Sequence, residues 1–439
     1  MPPSVTARRR TPRRWLAATV LLGTAATGVR GQSASGILLD EIDTLFAFGD
    51  SYTHTGYEPA KGINIFPGYG NTSSGGFVWS QYLTTPSSIY DSSVSTYNPN
   101  RTITLYDLAY SGSTTNASII QSSDGTPDFV DQVEIWEEYF SPPTRSANWT
   151  SERTLFAAWF GINDVGFAYL QNRDFAPLLD EWFDTWNRLF AVLYAGGARN
   201  FLVLGVPPTQ RTPLVQSYGS EAEGVFEANV NAYNLALTTF VTSIPSLYPG
   251  SKLALFDTQP FFNTILDSPL QYGFLETQAY CEAYAGVDDD PMVELAECAW
   301  PMREYFWYNA YHPTYPVHRL LATVLANTLS LPSNATSVIT TTSLLPTSSG
   351  ASLSSTILTS LSTTVLDSTA IPTTSLTNTV PAEAPTVTGT ATVTASGGVG
   401  GGMGEGGSNG AELVKGGREK VLWAIGVGTV AAVGMLGWA

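Results

Sequence analysis

Soft metal ligands are scarce in this 439-residue chain, which has two cysteines and three scattered histidines. Without a ligand cluster, a metal-dependent hydrolase is not expected, and no cofactor or metal enters the reading. Basic residues are also few, with Lys and Arg numbering 20 against 37 Asp and Glu, for a formal charge of −17. Several of them, Arg8, Arg9, Arg10, Arg13 and Arg14, crowd the start of the chain. So acidic a protein repels phosphate, which argues against nucleic acid and anionic lipid as partners.

The apolar stretch after those arginines, Trp15 to Ala26, is roughly a dozen residues, too short to span a bilayer comfortably, and small residues suited to cleavage follow it. Residues 1–31 therefore read as a secretory signal, with an uncleaved anchor as the alternative. At the other end, small residues from Ser408 to Ala411, a polar spacer from Glu412 to Lys420 and the apolar run Val421 to Ala439 supply the three parts of a glycolipid-anchor signal. A single-pass helix would instead keep Lys415, Arg418 and Lys420 on its cytoplasmic side. Residues 411–439 are expected to be a GPI-anchor signal or, alternatively, a C-terminal transmembrane segment. Residues 332–410, rich in Ser, Thr and Gly, cannot bury enough apolar surface to fold and read as a disordered stalk of the O-glycosylated kind. A secreted, cell-surface protein tethered to membrane or wall is the expectation. Five Asn-x-Ser/Thr sites, Asn71, Asn100, Asn116, Asn148 and Asn334, fit that route. So does a disulfide between Cys281 and Cys298, which are close enough in sequence to close one loop.

Between these ends, residues 40–331 alternate short β-rich runs with longer amphipathic stretches, the pattern of parallel strands joined by crossover helices. Thr44 to Phe48, Ile103 to Leu108, Thr154 to Phe160, Asn200 to Gly205 and Leu253 to Asp257 read as strands. Phe129 to Phe140, Phe175 to Tyr194, Glu221 to Ile244 and Val317 to Leu329 read as helices. The near-continuous apolar character of the strands predicts an α/β fold in which a five-stranded parallel sheet is covered on both faces.

Chemistry-bearing residues gather where apolar runs stop. Phe48-Gly49-Asp50-Ser51-Tyr52 ends the first strand, Ser111-Gly112 follows the second, and Phe160-Gly161-Ile162-Asn163-Asp164-Val165-Gly166 follows the third; His312-Pro313-Thr314 comes far downstream. With these four ordered blocks the chain resembles the GDSL or SGNH hydrolases, and among them the fungal-type acetylesterases of carbohydrate esterase family sixteen. The resemblance implies a flavodoxin-like three-layer α/β/α sandwich with its site at the carboxyl ends of the strands. It implies Ser51 as nucleophile and His312 as the base that takes its proton. Backbone N–H groups of Ser51 and Gly112 and the amide of Asn163 would form the oxyanion hole.

The departure from the family pattern is Asn309, standing three residues before the histidine where the family has Asp. In a chymotrypsin-type protease, the corresponding Asp-to-Asn change costs about 10⁴-fold, mainly through the wrong histidine tautomer. Either Asn309 through its amide oxygen, or a backbone carbonyl, accepts the Nδ1 proton and leaves a working Ser-His site, or the domain survives as a weakened wall-associated binding or structural protein. Asp50 adjoins Ser51 and reads as a brace of the turn. Tyr52 and Phe167 flank the motifs and are candidates to contact substrate, whereas His54 reads as a mobile loop residue, with a substrate contact as the alternative, and His318 as a packed or surface residue of the last helix. The expected function is a monomeric serine esterase that removes short acyl groups, acetyl above all, from acylated carbohydrate or another small ester. A lipase or phospholipase of the same superfamily is the alternative.

Overall fold

The computed structural model describes residues 36–67, 72–85, 102–122, 125–142, 146–286 and 294–329, and the backbone of 337–339. The strands are β1 (Thr44–Gly49), β2 (Thr104–Asp107), β3 (Thr154–Trp159), β4 (Asn200–Leu204), β5 (Lys252–Phe256) and β6 (Ser337–Ile339). They form one sheet in the order β2-β1-β3-β4-β5-β6, parallel throughout. The helices are α1 (Trp79–Thr84), α2 (Phe129–Tyr139), α3 (Ile162–Leu170), α4 (Phe175–Ala195), α5 (Pro213–Ser217), α6 (Ser220–Leu247), α7 (Thr258–Asp267) and α8 (Tyr315–Leu329).

Every residue of β1, β3 and β4 is buried, as parallel strands covered on both faces require. Alternation along the strands sends neighbouring side chains to opposite layers. Phe46 and Phe156 meet Trp136 of α2, while Trp159 meets Trp79 of α1 from the other face. Helices α1 and α8 pack together, and α2, α4 and α6 pack in sequence. The result is the helix-sheet-helix sandwich expected from the motifs, with the five expected strands in place.

Two features lie outside that expectation. Residues 337–339, placed in the stalk by composition, pair in parallel with β5 through Ala254↔Ser337 to Phe256↔Ile339. The free N–H and C=O groups of an edge strand supply a template for such pairing. Short helices α1, α3, α5 and α7 were also not anticipated, because runs of five to ten residues show little periodicity. The expected secretory signal of residues 1–31, the expected anchor or transmembrane segment of 411–439 and the rest of the expected stalk lie outside the described residues. Among the described residues, no helix is long and apolar enough to cross a membrane.

Strand β1 has β2 on one side and β3 on the other, which makes their junction the crevice where open α/β sheets bind ligands. Gly161, between β3 and α3, has φ +112°, and a Cβ there would come within 2.5 Å of Val206 and 2.6 Å of Tyr233. Gly161→Ala is expected to lower stability by about 2–3 kcal/mol, from backbone strain plus overpacking. Gly224→Ala in α6, where nothing lies within 4 Å, is expected to raise it by up to about 1 kcal/mol. Urea denaturation of both variants checks the pair.

Candidate active site

The motif residues are held by hydrogen bonds from elements distant in sequence as well as from their own turns. At the end of β1, the Gly49 N–H donates to Gln132 Oε1 at 2.9 Å, and Gln132 Nε2 returns a bond to Gly49 O at 2.8 Å. The chain then turns about Asp50, whose Oδ1 accepts from Tyr52 N and whose carbonyl accepts from Thr53 N and His54 N. Asp50 is thus the expected brace. Among the described residues, neither the Ser51 N–H nor the Gly112 N–H donates to a protein acceptor.

Gly112 has φ +81°, a left-handed conformation that glycine adopts without Cβ strain. Its loop is tied to β1 by Tyr110 N donating to Gly49 O at 3.1 Å. It is tied to α3 by Asn163 Nδ2 donating to Ser113 O at 2.9 Å and by Thr115 N donating to Asp164 Oδ1 at 2.9 Å. An amide nitrogen carries two hydrogens, so Asn163 keeps one donor beyond this anchor.

His312 and Asn309 lie on a tight loop closed by Tyr308 N donating to His312 O and Thr314 N donating to Phe306 O, each at 2.8 Å. The loop brings His312 Nε2 within 2.6 Å of Ser51 Oγ, across 261 residues of sequence. Asn309 Oδ1 receives Tyr311 N at 2.9 Å and His312 N at 2.8 Å, and His312 Nδ1 lies 2.9 Å away. Backbone N–H groups can only donate, so the amide atom facing them is the oxygen. The imidazole must then carry its proton on Nδ1, which leaves the Nε2 lone pair toward the serine hydroxyl. This arrangement can deprotonate a nucleophile.

The family profile described as GDSL-like Lipase/Acylhydrolase matches residues 45–325. The chain belongs to this family. An acetylesterase of Thermothelomyces thermophilus is 32% identical over 322 residues, covering 70% of this chain and 96% of its own length. An acetylesterase of Hypocrea jecorina is 25% identical over 336 residues, covering 66% of this chain and 90% of its own. A solved extracellular lipase from Streptomyces rimosus aligns with a TM-score of 0.28 at 15% identity, over 50% of this chain and 82% of that one. Membership makes the chain a carboxylic ester hydrolase.

Other residues of this GDSL hydrolase fall less as the motifs suggested. Tyr52 is 1% exposed, its hydroxyl donates to Tyr311 O, and its ring packs beside His312 and Trp159. It is a core support and cannot face substrate, a correction to its candidate role. Phe167 is half-buried against the core from α3. His318 is buried in α8, the packed rather than the surface alternative. His54 is half-buried and hydrogen-bonded, and so is not the loose residue its position suggested. Cys281 and Cys298 are joined. Asn148 is exposed, whereas Asn116 is half-buried with Nδ2 donating to Thr185 Oγ1 at 3.3 Å; Asn71, Asn100 and Asn334 lie outside the described residues.

Burial sets the charge of this GDSL centre. It pushes Asp50 up to about 8, helped by the nearby Asp164 charge, and Asp164 up to about 7. It raises Asp107 as well. It lowers His54 to about 4, and His312 and His318 to about 3.

The raised acids contribute stability that is complete below 3.8 and is lost as pH rises through their folded values. The lowered histidines contribute stability that is present above 6.5 and is lost as pH falls. The two sets offset one another between about pH 4 and 6.5, and above that only the acids act. The urea midpoint is therefore expected to fall from about pH 6.5 to about pH 8, and Asp50→Asn to flatten the fall. An identical slope in the variant would mean that Asp50 is not held neutral.

Proposed function

We propose that this chain is a secreted, cell-surface serine esterase that removes short acyl groups, chiefly acetyl, from carbohydrate, through Ser51, His312 and Asn309. The observation that carries the reading is the relay from Ser51 Oγ to His312 Nε2 at 2.6 Å and from His312 Nδ1 to Asn309 Oδ1 at 2.9 Å. Ser51 attacks the ester carbonyl as His312 takes its proton, and His312 returns that proton to the departing alcohol. An acyl-enzyme forms, and water attacks it by the same route. The oxyanion of each tetrahedral intermediate meets the Ser51 and Gly112 N–H groups and the second amide hydrogen of Asn163.

The acetyl preference draws on the names of the two fungal relatives, each covered over at least 90% of its length. Carbohydrate as the acyl carrier draws instead on the resemblance of the four motif blocks to the acetylesterases of carbohydrate esterase family sixteen. Surface attachment draws on the signal-like start and anchor-like end of the sequence. The exposed Asn148 amide suits a secreted glycoprotein.

A fluorophosphonate probe is expected to label the wild type and not Ser51→Ala; an unlabelled, folded wild type would end the serine-esterase reading. Among p-nitrophenyl esters, the acetate is expected to have the highest kcat/KM, and a long-chain optimum would make the enzyme a lipase instead. Asn163→Ala is expected to lower kcat by about 10²- to 10³-fold with little change in KM.

Burial holds the His312 imidazolium down to about 3, so the acid limb of kcat/KM is expected well below pH 6. Asn309→Asp places a carboxylate against Nδ1, which favours the imidazolium and moves that limb to higher pH while the plateau rate stays equal or rises. A severe loss of plateau rate in Asn309→Asp would show that the amide has a role a carboxylate cannot fill.

A further inference from the structure

The turn that carries Ser51 and the loop that carries Gly112 are bridged by a side-chain pair for which the chemistry above has no use. His54 lies three residues after Ser51, and its Nδ1 is 3.0 Å from Ser111 Oγ, next to Gly112. The His54 ring stacks on Tyr110, with centroids 5.7 Å apart and planes at 19°. Glu58 is near enough to both rings to bear on their protonation, and it forms an exposed ion pair with Lys61 Nζ at 2.7 Å. His54, Glu58, Tyr110 and Ser111 are each partly open to solvent, whereas Asp50, Ser51 and His312 are buried. The two loops thus carry buried chemistry on their inner side and a half-open row of hydroxyl, imidazole and phenol beside it.

We infer that His54 and Ser111, backed by the Tyr110 ring, form the subsite for the alcohol portion of the ester and select a polyhydroxylated alcohol such as a sugar ring. This rests on the serine-esterase reading and deepens it. Burial keeps the His54 imidazole neutral at neutral pH, with its pKa lowered to about 4. A neutral imidazole has one donor and one acceptor nitrogen. Nδ1 is engaged by Ser111, and Nε2 has no protein partner among the described residues. The Ser111 hydroxyl retains hydrogen-bonding capacity beyond His54, since it offers one donor and two acceptor positions. Neighbouring sugar hydroxyls both donate and accept, so a pair of them satisfies Nε2 and Ser111 Oγ together. The Tyr110 ring holds the imidazole plane in place while they do so. An alkyl alcohol would cover the same groups without pairing them, which is penalised for any desolvated polar atom.

The test compares kcat/KM on a monoacetylated methyl glycoside with that on p-nitrophenyl acetate, whose leaving group has no neighbouring hydroxyls. In His54→Ala and in Ser111→Ala, the glycoside-to-p-nitrophenyl ratio is expected to fall about tenfold or more, mostly through KM, and His54→Gln is expected to recover a large part of it. A ratio within about twofold of wild type in both alanine variants would overturn the inference, whether or not the absolute rates fall together. A wild type that is labelled by fluorophosphonate and cleaves p-nitrophenyl acetate, yet leaves the glycoside intact, would also overturn it while the esterase reading stands. A wild type that is neither labelled nor active on either ester would remove the esterase reading itself.

Discussion

Three N–H groups converge on one oxygen, Asn309 Oδ1, and the state of the whole centre follows from that convergence. Two of them are backbone groups, of Tyr311 and His312, and the third is the His312 ring Nδ1. Turning the amide over would point NH₂ at two fixed donors and leave both buried and unpaired, at a cost of about 1–3 kcal/mol each. The oxygen therefore stays where it is, and it dictates the imidazole tautomer. In the chymotrypsin-type protease, the amide that replaces the aspartate enforces the wrong tautomer, which accounts for most of the loss. Here backbone geometry removes that freedom, and an amide can orient the base without being charged.

Asn309 can be held this way because the loop around it is rigid, and the rigidity comes from groups that stay neutral when buried. Tyr52 reaches from beneath the nucleophile turn to the Tyr311 carbonyl. Tyr311 in turn donates to Ile162 O at the start of α3, at 3.3 Å. Asp164 receives Thr115 N and so fixes the loop that follows Gly112. Burial, and for Asp50 also the nearby Asp164 charge, raises Asp50 to about 8 and Asp164 to about 7, so below those values they brace the turn and the loop as neutral acids. Gln132 does the same for Gly49 with no titratable group at all.

Much of this was legible in the residues. The apolar runs located five strands to within about two residues of the observed bounds, because parallel strands covered on both faces leave little room for polar residues. Three motif blocks put Ser51, Gly112 and Asn163 just beyond the carboxyl ends of β1, β2 and β3, where open parallel sheets expose chemistry, whereas His312 stood out only by its own His-Pro-Thr block, with no strand directly before it. The support beneath was not legible. Gln132 sits on the buried side of an otherwise ordinary amphipathic helix, and only a polar residue at an apolar position hinted at it. Asp164 was inside a recognised motif, yet its partner Thr115 lies 49 positions away, and no local pattern encodes such a pairing. Tyr52 was misjudged because adjacency to Ser51 in sequence says nothing of direction. In the turn after a strand, consecutive side chains diverge, and Tyr52 goes down into the core where Ser51 goes up. The short strand Ser337–Ile339 was hidden by a Ser- and Thr-rich composition that also suits a sheet edge.

An amide in place of a carboxylate changes when charge first appears in the site. With His312 and Asn309 neutral, and with Asp50 and Asp164 protonated below about pH 7, the resting centre around Ser51 carries little ionic charge. In the proposed mechanism the first full charges arise together in the transition state, as imidazolium and oxyanion. A carboxylate would stabilise the imidazolium before as well as during reaction, and part of its effect would be lost as uniform stabilisation of an ionised base. An oriented amide oxygen stabilises it less, but does little to favour early protonation of the base. On the proposed mechanism the burden of charge stabilisation then shifts to the oxyanion side, where the Ser51 and Gly112 N–H groups and the second hydrogen of Asn163, already fixed by the loops that carry them, would meet it. Rigidity in those loops substitutes for the missing negative charge, and this is why so much of the buried polar network converges beneath them.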